Sequence, residues 1–189
     1  MKANLKNTNI NYHIVREDFS ESDMDGNITI NVSYINRRNM SAKEAREHIQ
    51  QIKKYAEEHN LKNLFIIEDN NPESPMNFSK GLNEILAMIQ ALNEGKSNMR
   101  IARIIVANQK SVSKYYGNYL LFIRTACSEN QFIGNFMDRI FSGNEYGIDF
   151  TCFENNYHFD PYNRNDKQTL DQMLIDYWHD IDMSMKNWK

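Results

Sequence analysis

Glycine is scarce in this chain, seven in 189 residues, and none of the seven falls into a phosphate-cradling pattern. Neither G-x-G-x-x-G nor G-x-x-x-x-G-K-[ST] occurs, which argues against an ordinary dinucleotide-binding or P-loop enzyme. The G-x-S-x-G elbow of the serine hydrolases is missing as well. Cysteine is scarcer still. Cys127 and Cys152 each sit among apolar residues with no partner nearby in sequence, so they read as buried free thiols of a reducing compartment. Neither has a sequence context that would activate it as a nucleophile. The five histidines, His13, His48, His59, His158 and His179, show no His or Cys partner at ligand spacing, and no zinc site is expected.

Long hydrophobic runs are also absent. Nothing approaches the roughly 18 apolar residues of a membrane span. The opening Met-Lys-Ala-Asn-Leu-Lys-Asn-Thr-Asn lacks the apolar centre of a signal peptide, so a cytoplasmic protein away from membranes is expected. Neither sign of charge dominates, with 22 basic against 25 acidic residues and a net charge of −3. The longest cationic pairs, Arg37-Arg38 and Lys53-Lys54, are too short for the basic face that phosphate backbones require. No nucleic-acid partner is expected.

What is present is an ordinary core. Hydrophobic residues make up 41% of the chain, and a domain of this length buries about 70% of its unfolded surface without disulfides or metals. Ile28, Ile30, Val32 and Tyr34 alternate with polar residues, the pattern of a strand with one buried face. Ile10, Tyr12 and Ile14 open a weaker strand within residues 10–19, and Asp25-Gly26 signals a turn, so the two are expected to pair as an antiparallel hairpin. Ser41 with Glu44 forms a capping box that starts a helix running to His59. Leu61 to Ile67 reads as a buried strand, Phe78 to Asn93 as a helix closed by Gly95, and Ile101 to Ala107 as a strand. Helices are expected from Val112 to Cys127 and over Phe132 to Phe141, then a strand from Ile148 to Phe153. An ordered loop over residues 154–165 leads to a final helix capped by Asp166. That helix carries Leu170, Met173, Leu174, Tyr177, Trp178, Ile181 and Met185 along one stripe.

Alternation of helices with short apolar strands implies an α/β fold: a mixed, mostly parallel sheet with an antiparallel hairpin at its start and helices packed on it. Residues 1–153 form the body. Residues 154–189 supply a polar loop and a C-terminal amphipathic helix packed on the same domain.

Ligands of open α/β sheets sit outside the carboxyl ends of the parallel strands. Those ends carry Arg37 and Arg38, then Glu68 and Asp69, then Asn108, Lys110 and Ser111. This set could line a crevice for a small molecule, or it could be the polar chemistry of ordinary loops. Glu68-Asp69 is the best candidate for acid chemistry or Mg²⁺, but no third oxygen ligand is nominated. No metal or cofactor is therefore expected. His158, in Tyr157-His158-Phe159-Asp160, has an acid two residues on and reads as a surface histidine, with a general base as the alternative.

The order of elements from Ile10 to Phe153 resembles the STAS-like domains of anti-sigma-factor antagonists. Locally, Leu64-Phe65-Ile66-Ile67-Glu68-Asp69 leads through a loop to Met76-Asn77-Phe78-Ser79-Lys80-Gly81-Leu82. In that family a serine before a Gly-Leu at the start of the second helix is phosphorylated, and the resemblance assigns that position to Ser79. The pattern departs here, with Phe78 before the serine, Lys80 after it, and Pro72 and Pro75 in a longer loop; a plain helix N-cap is the other reading of Ser79.

The resemblance implies a non-enzymatic regulatory module that binds another protein. Its expected contact surface is the last helix, acidic outside (Asp171, Asp176, Asp180, Asp182) and aromatic at Tyr177 and Trp178. The alternatives are a small-molecule-binding or hydrolytic enzyme using the strand-end crevice, and a structural homo-oligomer held by that aromatic stripe.

Overall fold

The computed structural model describes residues 9–15, 22–75, 77–127 and 146–186, with side chains in the last helix only as far as Ile181. The helix expected over Phe132 to Phe141 lies outside the described residues. The chain forms an α/β fold around a six-stranded mixed sheet. Its strands are β1 (Ile10–Val15), β2 (Ile28–Asn36), β3 (Leu64–Asp69), β4 (Met99–Val106), β5 (Asp149–Cys152) and β6 (Tyr157–Phe159). Its helices are α1 (Ala42–Glu58), α2 (Lys80–Asn93), α3 (Gln109–Val112), α4 (Tyr116–Cys127) and α5 (Arg164–Lys186).

Across the sheet the order is β1-β3-β2-β4-β5-β6. The four central strands are parallel, and β1 and β6 run antiparallel to β3 and β5 at the two edges. The hairpin expected between β1 and β2 does not form. β1 instead pairs with β3, from Ile10 opposite Asp69 to Val15 opposite Leu64. The physical reason lies in β3. Leu64, Ile66, Ile67, Glu68 and Asp69 are all buried, so β3 is an interior strand and needs a neighbour on each side. The turn expected at Asp25-Gly26 does form. Residues 22–28 make a tight reversal with Gly26 at φ 80° and an antiparallel bridge from Ser22 to Ile28, leading into β2 alone.

Right-handed crossovers distribute the helices. The β2-α1-β3 unit moves one way across the sheet and β3-α2-β4 moves back past β2, so α1 and α2 lie on opposite faces. Ile30, Val32, Tyr34, Ile67, Ile104 and Val106 build the larger core with α2, α4 and Leu170 of α5. Ile35, Leu64 and Ile66 meet Ala45, Ile52 and Ala56 of α1 on the other face. Each large side chain so enclosed contributes about 1.5–3 kcal/mol relative to exposure.

Local signals explain the helix starts. Ser41 and Glu44 form the expected capping box of α1, with Glu44 N bound to Ser41 Oγ at 3.2 Å and Ser41 N to Glu44 Oε2 at 2.6 Å. The helix expected from Val112 is broken: α3 stops at Val112 and α4 begins at Tyr116. Ser113 is extended between them and its hydroxyl bonds to Glu73, 40 residues away, so a tertiary contact overrides helix propensity there. The last helix starts two residues before Asp166. Asn163 Oδ1 accepts from Asn165 N at 2.9 Å, and Asp166 instead accepts from Asp160 N at 2.8 Å. Within the expected loop of residues 154–165, Tyr157 to Phe159 pairs with β5 as strand β6.

Candidate functional site

Order 3-2-4-5 among the parallel strands puts the topological switch between β2 and β4, where their following connections depart to opposite faces. A crevice should open there. The chain fills it with its own turns: a 3-10 turn at Arg37–Asn39 after β2, α3 after β4, and residues 70–75 and 77–79 after β3. Asn36 Oδ1 accepts from Arg38 N at 3.1 Å and so starts the 3-10 turn, while its Nδ2 is buried without a partner.

Asp69 lies at the centre of the filled region and is fully buried. Its Oδ1 accepts from Asn71 N at 2.8 Å and Asn71 Nδ2 at 2.6 Å. Its Oδ2 accepts from the Tyr34 hydroxyl at 2.8 Å and Gly81 N at 2.7 Å. Four bonds exhaust the lone pairs of a carboxylate and leave none directed at a cation or a substrate. Gly81 is dictated by this approach, since a Cβ there would fall 2.7 Å from Asp69 Oδ2. Because the single Tyr34 proton goes to Asp69, the 2.5 Å contact between Tyr34 and Ser79 has the Ser79 hydroxyl as donor. Burial first, and then the Asp69 charge, push the Tyr34 hydroxyl well above its ordinary pKa and keep it a donor.

Ser79 is the N-cap of α2, its oxygen accepting from Leu82 N at 3.5 Å. It is fully buried, and a phosphate on its hydroxyl would displace Tyr34 and open the start of α2.

The remaining crevice residues divide between bonded and exposed. Glu68 bonds to His13 of β1 and, through Oε2, to Arg37 Nη1 at 2.9 Å. Arg38 Nε donates to the Asn70 carbonyl at 2.9 Å. Asn108 caps α3, accepting from Ser111 N at 2.9 Å and Ser111 Oγ at 3.1 Å. Lys110 is exposed, and its carbonyl accepts from Asn39 Nδ2 at 3.1 Å. Two residues that sequence reasoning passed over hold the filling in place. Glu73 accepts from Asn39 Nδ2 at 2.9 Å, Ser113 Oγ at 2.5 Å and Lys114 N at 2.9 Å, and Asn118 Nδ2 donates to the Ser74 carbonyl at 2.8 Å. An acid inside an Asn-Asn-Pro-x-Ser-Pro loop, where few apolar residues could otherwise order the chain, was the available signal for Glu73.

His48 of α1 completes this end, with Nδ1 3.2 Å from Ser111 Oγ. Ser111 is fully buried and bonded to Asn108, which makes the pair a structural contact rather than an exposed nucleophile and base. Burial holds the His48 imidazole below its ordinary value of 6.5 against the opposing pull of Glu44. A depressed histidine favours the neutral form in the fold. Its contribution is therefore complete above the ordinary value and is lost as pH falls through the lower folded value. Thermal melts between about pH 7 and pH 5 should fall more steeply for the wild type than for His48→Gln; parallel profiles would contradict the assignment.

On the opposite side from α1, α5 packs on α4. Tyr177 lies directly on Gly117, where a Cβ would overlap its ring, and that ring stands 5.9 Å from Tyr116 edge to face. Asp171, expected on the outer acidic face, binds Arg124 of α4 at 2.6 Å and so ties the helix down. Tyr177 is half-buried, while Trp178 is 37% and Ile175 is 61% exposed. His158 of β6 is exposed. Among the described residues no group of three or more His, Cys, Asp or Glu side chains is placed to hold a metal ion, and no helix is long and apolar enough to cross a membrane. No family model matches the chain, and neither a curated protein nor a solved structure is similar to it.

Proposed function

We propose that this chain is a non-enzymatic protein-interaction module of STAS-like type, regulating a protein partner through the outer face of α5. The observation that carries the reading is the pair Ile175 and Trp178. They are large, exposed and three residues apart on a helix whose inner face is already anchored by Leu170, Tyr177 and the Asp171–Arg124 pair. Helical spacing of i and i+3 places them as neighbours, the arrangement by which an amphipathic helix meets a groove. Asp176, His179 and Asp180 are exposed around them and form a polar rim.

The local chemistry at Ser79 fits the plain N-cap and lends the phosphorylation implied by the resemblance no support. A strand-end acid, a capping serine and a glycine two residues later are joined in one buried network. The alternative of an enzyme in the strand-end crevice loses support, because Asp69, Glu68, Asn108 and Ser111 are engaged with one another's loops.

Capture from a lysate of the native host tests the proposal. A single protein retained in stoichiometric amount by the wild type and by Glu68→Ala, and lost with Ile175→Glu/Trp178→Glu, is the expected result. Retention undiminished by the double change, or recovery only of a second copy of the chain, would overturn it; the latter would favour a homo-oligomer.

A further inference from the structure

A second surface lies at the opposite ends of the strands from the filled crevice. Thr29 and Asn31 of β2, Ala102 and Arg103 of β4, Asp149 of β5 and Lys62 before β3 line a groove of about 240 Å³. The groove owes its chemistry to a bulge. Thr29 stands beside Arg100 and Ile30 beside Ile101, but Asn31 stands beside Arg103, so Ala102 is the extra residue. Strict alternation would send Arg103 to the face of Ile101 and into the larger core. The bulge returns it to the face of Arg100, Thr29 and Asn31, and bulges characteristically re-aim a side chain in this way. Ala102 contributes only a methyl group, so the volume above it stays open.

Both guanidinium groups on this face are under-used. Arg103 Nη2 reaches Asp149 Oδ2 at 3.3 Å and Arg100 Nη1 reaches Asp23 Oδ2 at 3.2 Å. Charge-assisted bonds of this type run about 2.7–2.9 Å when well formed. The Nε of each arginine is buried without an acceptor. Arg100 is held further by Tyr146, whose ring centre lies 4.6 Å from the guanidinium carbon. Arg103 has no such second restraint among the described residues, and Lys62 adds another positive charge to the lining.

We propose that this groove binds a small oxyanion, the carboxylate or phosphate group of a compact polar molecule, with Arg103 as its anchor. A modest turn of the Arg103 side chain away from Asp149 presents Nε and Nη2 as a planar fork, the geometry that matches two oxygens of one anion. The Thr29 hydroxyl and the Asn31 side chain then supply polar contacts to the body of the ligand. The volume is below the roughly 300 Å³ at which drug-sized pockets begin, so the molecule is small. The site is independent of the α5 surface and stands or falls separately.

Titration of the full-length, ¹⁵N-labelled protein with acetate, and separately with inorganic phosphate at constant ionic strength, tests it. Saturable shifts at the Thr29, Asn31 and Ala102 amides and at Arg103 Nε–H are expected in at least one series. The series that saturates at lower concentration separates a carboxylate ligand from a phosphate one. Ala102→Leu fills the groove without touching Arg103 and should weaken binding roughly tenfold or more. Arg103→Lys, which keeps the charge and loses the fork, should do the same and serves as the second variant if Ala102→Leu does not fold. No saturable shift in either series, or shifts that persist undiminished in a folded variant, would overturn the assignment.

Discussion

Asp69→Ala should cost about 3–5 kcal/mol of folding stability, a large share of the 5–15 kcal/mol typical of a domain. The side chain is fully buried and accepts four hydrogen bonds, so its removal strands the Tyr34 hydroxyl, two donors of Asn71 and Gly81 N at once. Each unsatisfied buried donor costs about 1–3 kcal/mol, and partial relaxation keeps the total below the simple sum. Tyr34 also passes the effect on, because its contact with Ser79 links Asp69 to the cap of α2. Asp69→Asn preserves the shape but replaces one acceptor oxygen by a donor nitrogen, so its loss should be smaller. Urea titrations of the three proteins measure this directly. A loss under about 1 kcal/mol for Asp69→Ala would mean that the network does not hold this end of the sheet together.

Gly117→Ala should loosen α5 from α4 at a cost of about 1–3 kcal/mol, the usual range for overpacking a tight contact. The added methyl would overlap the Tyr177 ring, which can escape only by swinging away from Gly117 and Tyr116. Tyr177→Ala removes the same packing from the other side. The two changes should therefore be strongly non-additive, with the double variant close to Tyr177→Ala alone. Proteolysis within α5 should quicken in Gly117→Ala, since the Tyr177 ring anchors that helix locally. Additive losses would show that Tyr177 draws its stabilisation from elsewhere.

The element types were legible wherever one residue pattern decided them. The capping box at Ser41 and the apolar run of β3 each fixed a local structure, whereas the alternation in β2 located the strand but not its burial. β2 is buried on both faces, Asn31, Ser33 and Asn36 included, because it lies between β3 and β4 with helices on either side. Strand partnership was not legible, because alternation in Ile10–Val15 reveals two faces but says nothing of which strand lies beside them. The burial of every β3 residue but Phe65 held the clue, since an interior strand must be paired on both sides. The break between α3 and α4 was invisible for another reason: it depends on Glu73, distant in sequence.

For the crevice, sequence position placed Arg37, Glu68, Asp69, Asn108 and Ser111 correctly at one end of the sheet. What it could not express was saturation. Whether a carboxylate at a strand end faces an empty space or four donors depends on loops whose conformation Asn, Ser and Pro permit without dictating. The exposure of Trp178 beside a half-buried Tyr177 was likewise hidden, because a continuous apolar stripe does not reveal how wide a strip its own domain covers.

Hydrogen exchange of the protein alone and in complex with its captured partner tests the central claim most directly. Slower exchange confined to α5 around Ile175 and Trp178, with the turns at residues 37–39, 70–75 and 109–112 unchanged, is the predicted result. Protection at those strand-end turns with α5 unaffected would contradict it and return the functional surface to the crevice.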